Sequence, residues 1–201
     1  MATSRIVSTK ARTVPEENGS TVRRLYEAFA LRDGAAMAAC YHADATFTDP
    51  VFVGLKGAEV GRMWQMLTAG AKDLEITFRD IETEGDGGRA HWEAIYTFSR
   101  TGRKVHNVLE ARFTFRDGLI LDHQDSFKFW RWSRMAFGIL GVLLGWTPIL
   151  KRKVRADARR RLAAFEPAAA KPSRSDASSK TAKPAAKKSK PAPKKGSAKR
   201  R

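Results

Sequence analysis

With 201 residues and 42% hydrophobic content, the chain is long enough for one globular domain with appendages. Its net charge of +17 is concentrated, because residues 151–201 hold 19 Lys and Arg against 3 acidic residues, while residues 1–150 sum to +1. An argument for nucleic-acid binding from overall charge therefore applies only to the C-terminal quarter. The single cysteine, Cys40, excludes an intrachain disulfide framework and favours a reducing compartment, so we expect a cytoplasmic protein.

The N-terminal half predicts a leader followed by alternating helices and strands. Residues 1–19 are polar and end in turn-forming residues, which predicts a flexible leader. Ser20 or Thr21 can cap a first helix with Leu25 on its apolar face. The following elements are predicted as a short helix over 35–41, a strand over 42–50, a third helix over 58–70 and a strand over 74–81.

Residues 89–129 predict three long antiparallel strands, joined by the glycine-containing turns 101–103 and 116–118. Each strand alternates apolar and polar residues with the period of a half-buried sheet. Three polar residues, Asn107, His123 and Asp125, interrupt the apolar face. Because buried polar groups are costly unless they are paired or hydrated, these three residues are the main functional clue.

The order of elements predicts an α+β fold in which a curved antiparallel sheet wraps around the N-terminal helices and leaves a cone-shaped pocket. The sequence contains no GxGxxG, Walker loop, CxxC pair or HExxH motif. We therefore expect neither a cofactor nor a metal site.

Two stretches resemble the SnoaL-like, nuclear-transport-factor-2-like superfamily, to which ketosteroid isomerases also belong. One combines Leu-Tyr-Glu-Ala-Phe from residue 25 with Tyr-His-Ala-Asp-Ala-Thr-Phe-Thr-Asp-Pro over 41–50; the other is Phe-Arg-Asp-Gly-Leu-Ile from residue 115, followed by His123-Gln124-Asp125. The resemblance covers about residues 20–130 and implies the cone-shaped fold. Since this fold serves isomerases, cyclases, epoxide hydrolases, dehydratases and non-catalytic binders, it implies a small-molecule pocket without specifying the reaction.

The resemblance also implies candidate catalytic residues. The ketosteroid-isomerase pattern places a catalytic base at Asp49, but its two oxyanion donors fall at Leu25 and Ala111 and are missing, which argues against ketosteroid isomerisation. The cyclase pattern places an acid–base aspartate at Asp125, with His123 on the same strand face. We therefore predict Asp49 and Asp125 as acid–base residues and His123 as a proton shuttle or hydrogen-bond donor.

We predict that Asn107 orients an apolar substrate between aromatic walls made of Trp92, Tyr96, Tyr26, Phe113 and Phe127. Structural interpretations stay open beside these. Asp49 could cap the turn at Pro50, His123 and Asp125 could form an internal pair, Asn107 could be solvated and the aromatic residues could be core. The functional alternatives are a cofactor-independent isomerase, cyclase or hydrolase, and a non-catalytic ligand-binding or interaction module.

Residues 131–165 predict an apolar hinge followed by a basic helix. The apolar run 135–150 is interrupted by glycines and is shorter than the ~20 apolar residues that a membrane span needs. Thr147-Pro148 predicts the start of a helix over 148–165. We expect the apolar run to fold back over the cone or to form a homodimer contact; the alternative is that it lies with the basic helix on an anionic membrane surface.

Residues 166–201 are rich in Lys, Ala and Pro and have no apolar periodicity, so we predict a disordered tail. A flexible polycation of this kind binds nucleic acid or anionic lipid through counterion release. No aromatic residues interleave the lysines, so sequence-specific recognition is not expected. A solvated tail without a dedicated partner is the alternative.

Overall fold

The structure is a computed structural model, and it describes residues 13–167. The helices are α1 (Val14–Ala30), α2 (Gly34–Ala38), α3 (Ala58–Gly70), α4 (Phe129–Phe137), α5 (Ile139–Leu144) and α6 (Pro148–Ala164). The strands are β1 (Tyr41–Thr48), β2 (Leu55–Lys56), β3 (Glu75–Glu84), β4 (Gly87–Phe98), β5 (Arg103–Arg116) and β6 (Leu119–Ser126). The predicted disordered tail, apart from residues 166 and 167, and the first twelve residues of the predicted leader lie outside the described residues.

The six strands form one curved sheet in the order β2-β1-β6-β5-β4-β3, and the predicted α+β class is confirmed. Strands β3 to β6 are antiparallel neighbours, as their alternation and tight turns predict. The sheet is nevertheless mixed, because β1 pairs with β6 in parallel and places Phe47 opposite His123. This pairing brings the first strand beside the strand that carries the polar residues of the apolar face.

The main core lies between this sheet and the N-terminal helices. Helix α1 contributes Leu25 and Tyr26, and α3 contributes Met63 and Trp64, all of them buried. A second cluster joins the C-terminal helices to the sheet, since Trp132 of α4 packs among buried apolar residues and donates its indole N–H to the Tyr96 hydroxyl at 2.9 Å. Within residues 13–167, no helix combines the length and the apolarity needed to cross a bilayer.

The first helix begins earlier than predicted, so the assignment of residues 14–19 to a flexible leader and of the cap to Ser20 or Thr21 is wrong. The Thr13 N–H donates to the Glu16 carboxylate at 3.0 Å, and Pro15 suits the first turn of a helix. This turn is also tied to the sheet, because the Thr83 hydroxyl donates to the Pro15 carbonyl at 2.8 Å. Tertiary contacts therefore stabilise a segment whose composition resembles a loop.

Other boundaries also differ from the predictions, since β1 and β3 each have different ends from the predicted strands over 42–50 and 74–81. Helix α2 ends at Ala38 because the next residues join the sheet, where the Ile120 N–H donates to the Cys40 carbonyl at 2.9 Å. The last strand ends at Ser126, and Phe129, predicted as its end, begins α4. The predicted bounds of α3 are confirmed, and α6 ends one residue before its predicted limit.

Helix α2 packs tightly on α3 because Gly34 has no side chain. A Cβ at Gly34 would lie 2.6 Å from the Gln65 Cα and 2.6 Å from the Thr68 Oγ1. We expect Gly34→Ala to lower the free energy of unfolding by about 1–3 kcal/mol, because backbone atoms of α3 would have to shift. Gly70→Ala is the matched control, since a Cβ at Gly70 meets nothing within 4 Å, and it should leave stability unchanged or slightly raised. Urea unfolding measures both, and equal effects would contradict this account of the packing.

Candidate functional site

A cavity of about 590 Å³ lies between the sheet, α3 and α6. Its walls are mainly apolar, and representative wall residues are Met63, Trp64, Ala94, Leu109, Val154 and Ala158. The polar side chains that line it include Asp49, Tyr96, Asn107 and Asp125. An apolar cleft of this size with a few polar groups is typical of a small-molecule site.

Asp125 is a buried carboxylate whose position is set by two hydrogen bonds. Strand β6 places it opposite Ala111, a small neighbour that leaves room for the side chain. Its Oδ1 accepts the indole N–H of Trp92 at 3.0 Å and a hydrogen bond from His123 Nε2 at 3.0 Å. Both hydrogen bonds go to Oδ1, no residue within 13–167 donates to Oδ2, and Asp125 lines the cavity.

His123 connects Asp125 to a second pair of buried side chains. The Trp64 indole N–H donates to the Tyr41 hydroxyl oxygen at 2.9 Å, and that hydroxyl lies 2.7 Å from His123 Nδ1. An indole nitrogen only donates, so the arrangement that uses every proton has Tyr41 donating to Nδ1 and Nε2–H donating to Asp125. The imidazole is then neutral. Burial, followed by the charge of Asp125, raises the pKa of Tyr41 well above its ordinary value and keeps this hydroxyl protonated.

Asp49 follows β1 and closes a short turn at the cavity wall. Its Oδ1 accepts the backbone N–H of Val51 at 2.7 Å and also that of Phe52. The pKa of Asp49 is raised to about 7, mainly by burial; the nearby charge of Asp125 also raises it, while the two N–H groups and Arg155 lower it. The cavity therefore holds two carboxyl groups that interact, one of which changes protonation near neutral pH.

The predicted site residues divide into two groups. Six line one cavity: Asp49, Trp92, Tyr96, Asn107, Asp125 and Phe127. The other three lie outside the cavity lining. His123 is fully buried behind Asp125, and Phe113 packs on its ring with centroids 4.4 Å apart. Tyr26 stacks on Phe78 at 5.4 Å, and its buried hydroxyl has no hydrogen-bond partner within residues 13–167.

Sequence reasoning missed two sets of residues. Tyr41 and Trp64 complete the hydrogen-bonded chain, and no sequence signal links them because 23 residues separate them. Helix α6 forms a cavity wall through Val154 and Ala158, and their spacing of four, continued by Leu162, was a signal for a buried helix face. The α6 wall is tied to the β4–β5 turn, where Arg100 pairs with Asp157 at 2.7 Å.

The model of the SnoaL-like domain matches residues 22–123, about half of the chain. The chain belongs to the SnoaL-like family. No curated protein sequence matches this SnoaL-like protein.

Solved structures show the same fold at low sequence identity. A protein named as a SnoaL-like polyketide cyclase from Jannaschia sp. is 14% identical with a TM-score of 0.56, covering 65% of this chain and 99% of its own. An LEH-like epoxide hydrolase from M. tuberculosis is 16% identical with a TM-score of 0.53, covering 69% and 98%. TerC, crystallised with polyporic acid, is 17% identical with a TM-score of 0.52, covering 60% and 98%.

The buried chain of hydrogen bonds predicts a difference between two tyrosine substitutions. Tyr41→Phe leaves the Trp64 N–H and His123 Nδ1 without their partner, so we expect the free energy of unfolding to fall by about 1–3 kcal/mol. Tyr26→Phe removes a buried hydroxyl without a described partner and should leave stability unchanged or raised. Thermal and urea unfolding of both variants test this, and equal destabilisation would show that the chain contributes nothing specific.

The raised pKa of Asp49 predicts a pH-dependent loss of stability. The native state holds the proton up to a pKa of about 7, against an ordinary value of 3.8, so the stabilising effect of protonation disappears as pH rises between these values. Asp49→Asn removes the titration and keeps an oxygen for the two N–H groups. We expect the unfolding free energy of wild type, relative to Asp49→Asn, to fall from about pH 4 to 7 and then level off. Urea titrations at several pH values measure this. A difference in unfolding free energy between the two proteins that does not change with pH would contradict the raised pKa of Asp49.

Proposed function

We propose that this SnoaL-like protein is a cofactor-independent enzyme that performs acid–base chemistry on an apolar small molecule, as an isomerase, cyclase or hydrolase. The observation that carries the proposal is the pair of carboxyl groups, Asp49 and Asp125, that line one apolar cavity. Two carboxyl groups that line one cavity, one of which holds its proton up to a pKa of about 7, can act as base and acid in the same reaction.

Asp125 is the proposed base. Hydrogen bonds from Trp92 and His123 stabilise its negative charge at Oδ1, while Oδ2 can take a proton from a carbon next to a carbonyl or from an attacking water. Asp49, protonated below its pKa of about 7, can return a proton to the substrate oxygen. His123 acts through Asp125 as a hydrogen-bond donor and is a positioning residue, since it is fully buried.

The cavity also supports a substrate class. Its walls are aromatic and aliphatic, and Asn107 makes no side-chain hydrogen bond within residues 13–167, which leaves its amide for the substrate. Ala111, opposite Asp125, lies four residues from Asn107 on β5, or about 13 Å at 3.3 Å per residue. A molecule that contacts both Asn107 and Asp125 would be as long as about three fused rings. The structural neighbours named as a polyketide cyclase and an epoxide hydrolase support this class.

The test replaces each carboxylate and follows two probe reactions. The probes are deuterium exchange beside the carbonyl of 4-phenylcyclohexanone, followed by NMR, and hydrolysis of styrene oxide, followed by chromatography. We expect Asp125→Asn to lower the catalysed rate by about 10²–10⁴-fold and Asp49→Asn to remove the inflection near pH 7.

Asp44→Asn is the matched control. Asp44 lies on β1, the strand that ends just before Asp49, but its side chain is exposed. It should leave both rates unchanged. If the Asp49→Asn and Asp125→Asn variants both react as fast as wild type, the acid–base proposal is wrong.

A second candidate is a non-catalytic module that binds an apolar ligand. It is favoured by Asp49, whose Oδ1 is occupied by two backbone N–H groups, as in a purely structural turn. In this version residues 166–201 tether the module to nucleic acid or anionic lipid through their lysines. This candidate would be favoured if the protein binds the neutral dye N-phenyl-1-naphthylamine and turns over neither probe. Ala94→Phe, which fills the cavity, should then abolish dye binding.

A further inference from the structure

The hairpin of α4 and α5 buries its small residues and exposes its large apolar ones. A Cβ at Gly141 would lie 1.8 Å from the Ser133 carbonyl oxygen, and one at Gly145 would lie 2.0 Å from the Ser133 Oγ. Gly138, with φ +61°, makes the turn between the two helices. The inner side of α5 is therefore backbone in contact with α4, and its larger side chains point outward.

These outward side chains form one patch, here called the apolar tip: Ile139, Leu140, Val142, Leu143, Leu144, Trp146 and Ile149. All seven are exposed, and Leu140 and Leu143 are 62% and 60% exposed. Elsewhere in residues 13–167 the exposed large apolar residues are fewer and scattered, apart from Trp130 beside the tip. A continuous exposed apolar patch marks an interaction surface.

The charge around the apolar tip indicates what covers it. Residues 126–156 contain seven Lys and Arg and no Asp or Glu. Lys128, Arg131 and Arg134 precede the tip, and Arg152 and Lys153 follow it, all exposed. A second copy seated on the tip would bring the same positive charges against these, which is unfavourable. An anionic lipid surface matches both the apolar side chains and the cations.

We propose that the apolar tip inserts into the interfacial layer of an anionic phospholipid bilayer. Helix α5 has six residues and is about 9 Å long at 1.5 Å per residue, far less than the thickness of about 30 Å of the hydrocarbon core, so the tip enters only the interfacial layer. Trp146 and Trp130 lie at the level of the headgroups, where their amphipathic rings are favoured. The surrounding cations contact lipid phosphates. This surface is separate from the proposed chemistry of the cavity and does not depend on it.

Side-chain contacts hold the hairpin together without a membrane. The Trp130 indole N–H donates to the Val142 carbonyl at 3.3 Å, and the Trp146 indole N–H donates to the Leu143 carbonyl at 3.0 Å. The Arg134 guanidinium lies 4.6 Å from the centre of the Trp130 ring. Because the apolar side chains are already presented in one orientation, little ordering is required on binding.

The experiment uses the full-length chain with vesicles of phosphatidylcholine alone or with about 30% phosphatidylglycerol, and with brominated acyl chains as quenchers. We expect co-sedimentation with the anionic vesicles and quenching of tryptophan fluorescence. The double variant Leu140→Ser/Leu143→Ser should bind at least about tenfold more weakly, because each buried leucine contributes strongly to partition. At saturating vesicle concentration, Trp146→Phe should show reduced quenching, because one of the indoles that reach the interfacial layer is missing.

Leu31→Ser is the matched control, since Leu31 is 80% exposed and lies outside the tip, and it should behave as wild type. All these variants change exposed side chains, and unchanged melting temperatures will confirm that they fold.

The proposal is overturned if the double variant sediments with anionic vesicles as strongly as wild type and the brominated lipids quench neither protein. Binding would then be due to residues 166–201 alone. The proposal is also overturned if wild type is a dimer, the double variant is a monomer, and vesicles cause no quenching. The tip would then be a contact between two copies of the chain.

Discussion

The structure depends on how a carboxylate is accommodated inside an apolar core. Asp125 is stabilised by direct hydrogen bonds from Trp92 and His123, and His123 is in turn held by Tyr41, which accepts the N–H of Trp64. These five side chains come from α3, β1, β4 and β6. A buried polar chain is favourable only when each member is paired, so the chain requires these four elements to meet in one register.

This requirement also shapes the cavity. Asp125 is bonded to the chain through Oδ1 and also lines the space between the sheet, α3 and α6. Asp49 reaches the same space from the end of β1, and that strand is positioned by its parallel pairing with β6. The two carboxyl groups are thus brought together by the same strand pairing that completes the hydrogen-bonded chain. Burial is the main cause of the raised pKa of Asp49, and the charge of Asp125 adds to it.

The C-terminal segment has two different surfaces. Helix α6 closes the cavity with Val154 and Ala158, and α4 packs on the sheet through Trp132. Helix α5 makes no comparable burial, because the contact of Gly141 with Ser133 leaves its larger residues in water. Of the apolar run 135–150, which was expected to fold back over the cone or to form a dimer contact, residues 135–137 and Leu150 pack on the second cluster, while the larger residues of α5 are exposed and surrounded by cations.

Local signals in the sequence determined the bounds of α3, the antiparallel run of strands, and the inward face that carries Asn107, His123 and Asp125. These features depend on the periodicity of apolar residues and on turn residues that are close together in the chain. The resemblance pointed to Asp49. Only the tertiary structure decided the parallel pairing of β1 with β6, the contribution of Tyr41 and Trp64, and the surface against which α6 packs. These rest on contacts between residues far apart in the sequence, and local periodicity does not specify which distant residues meet. The early start of α1 combines a local signal, the bond between Thr13 and Glu16, with a distant contact between Pro15 and Thr83.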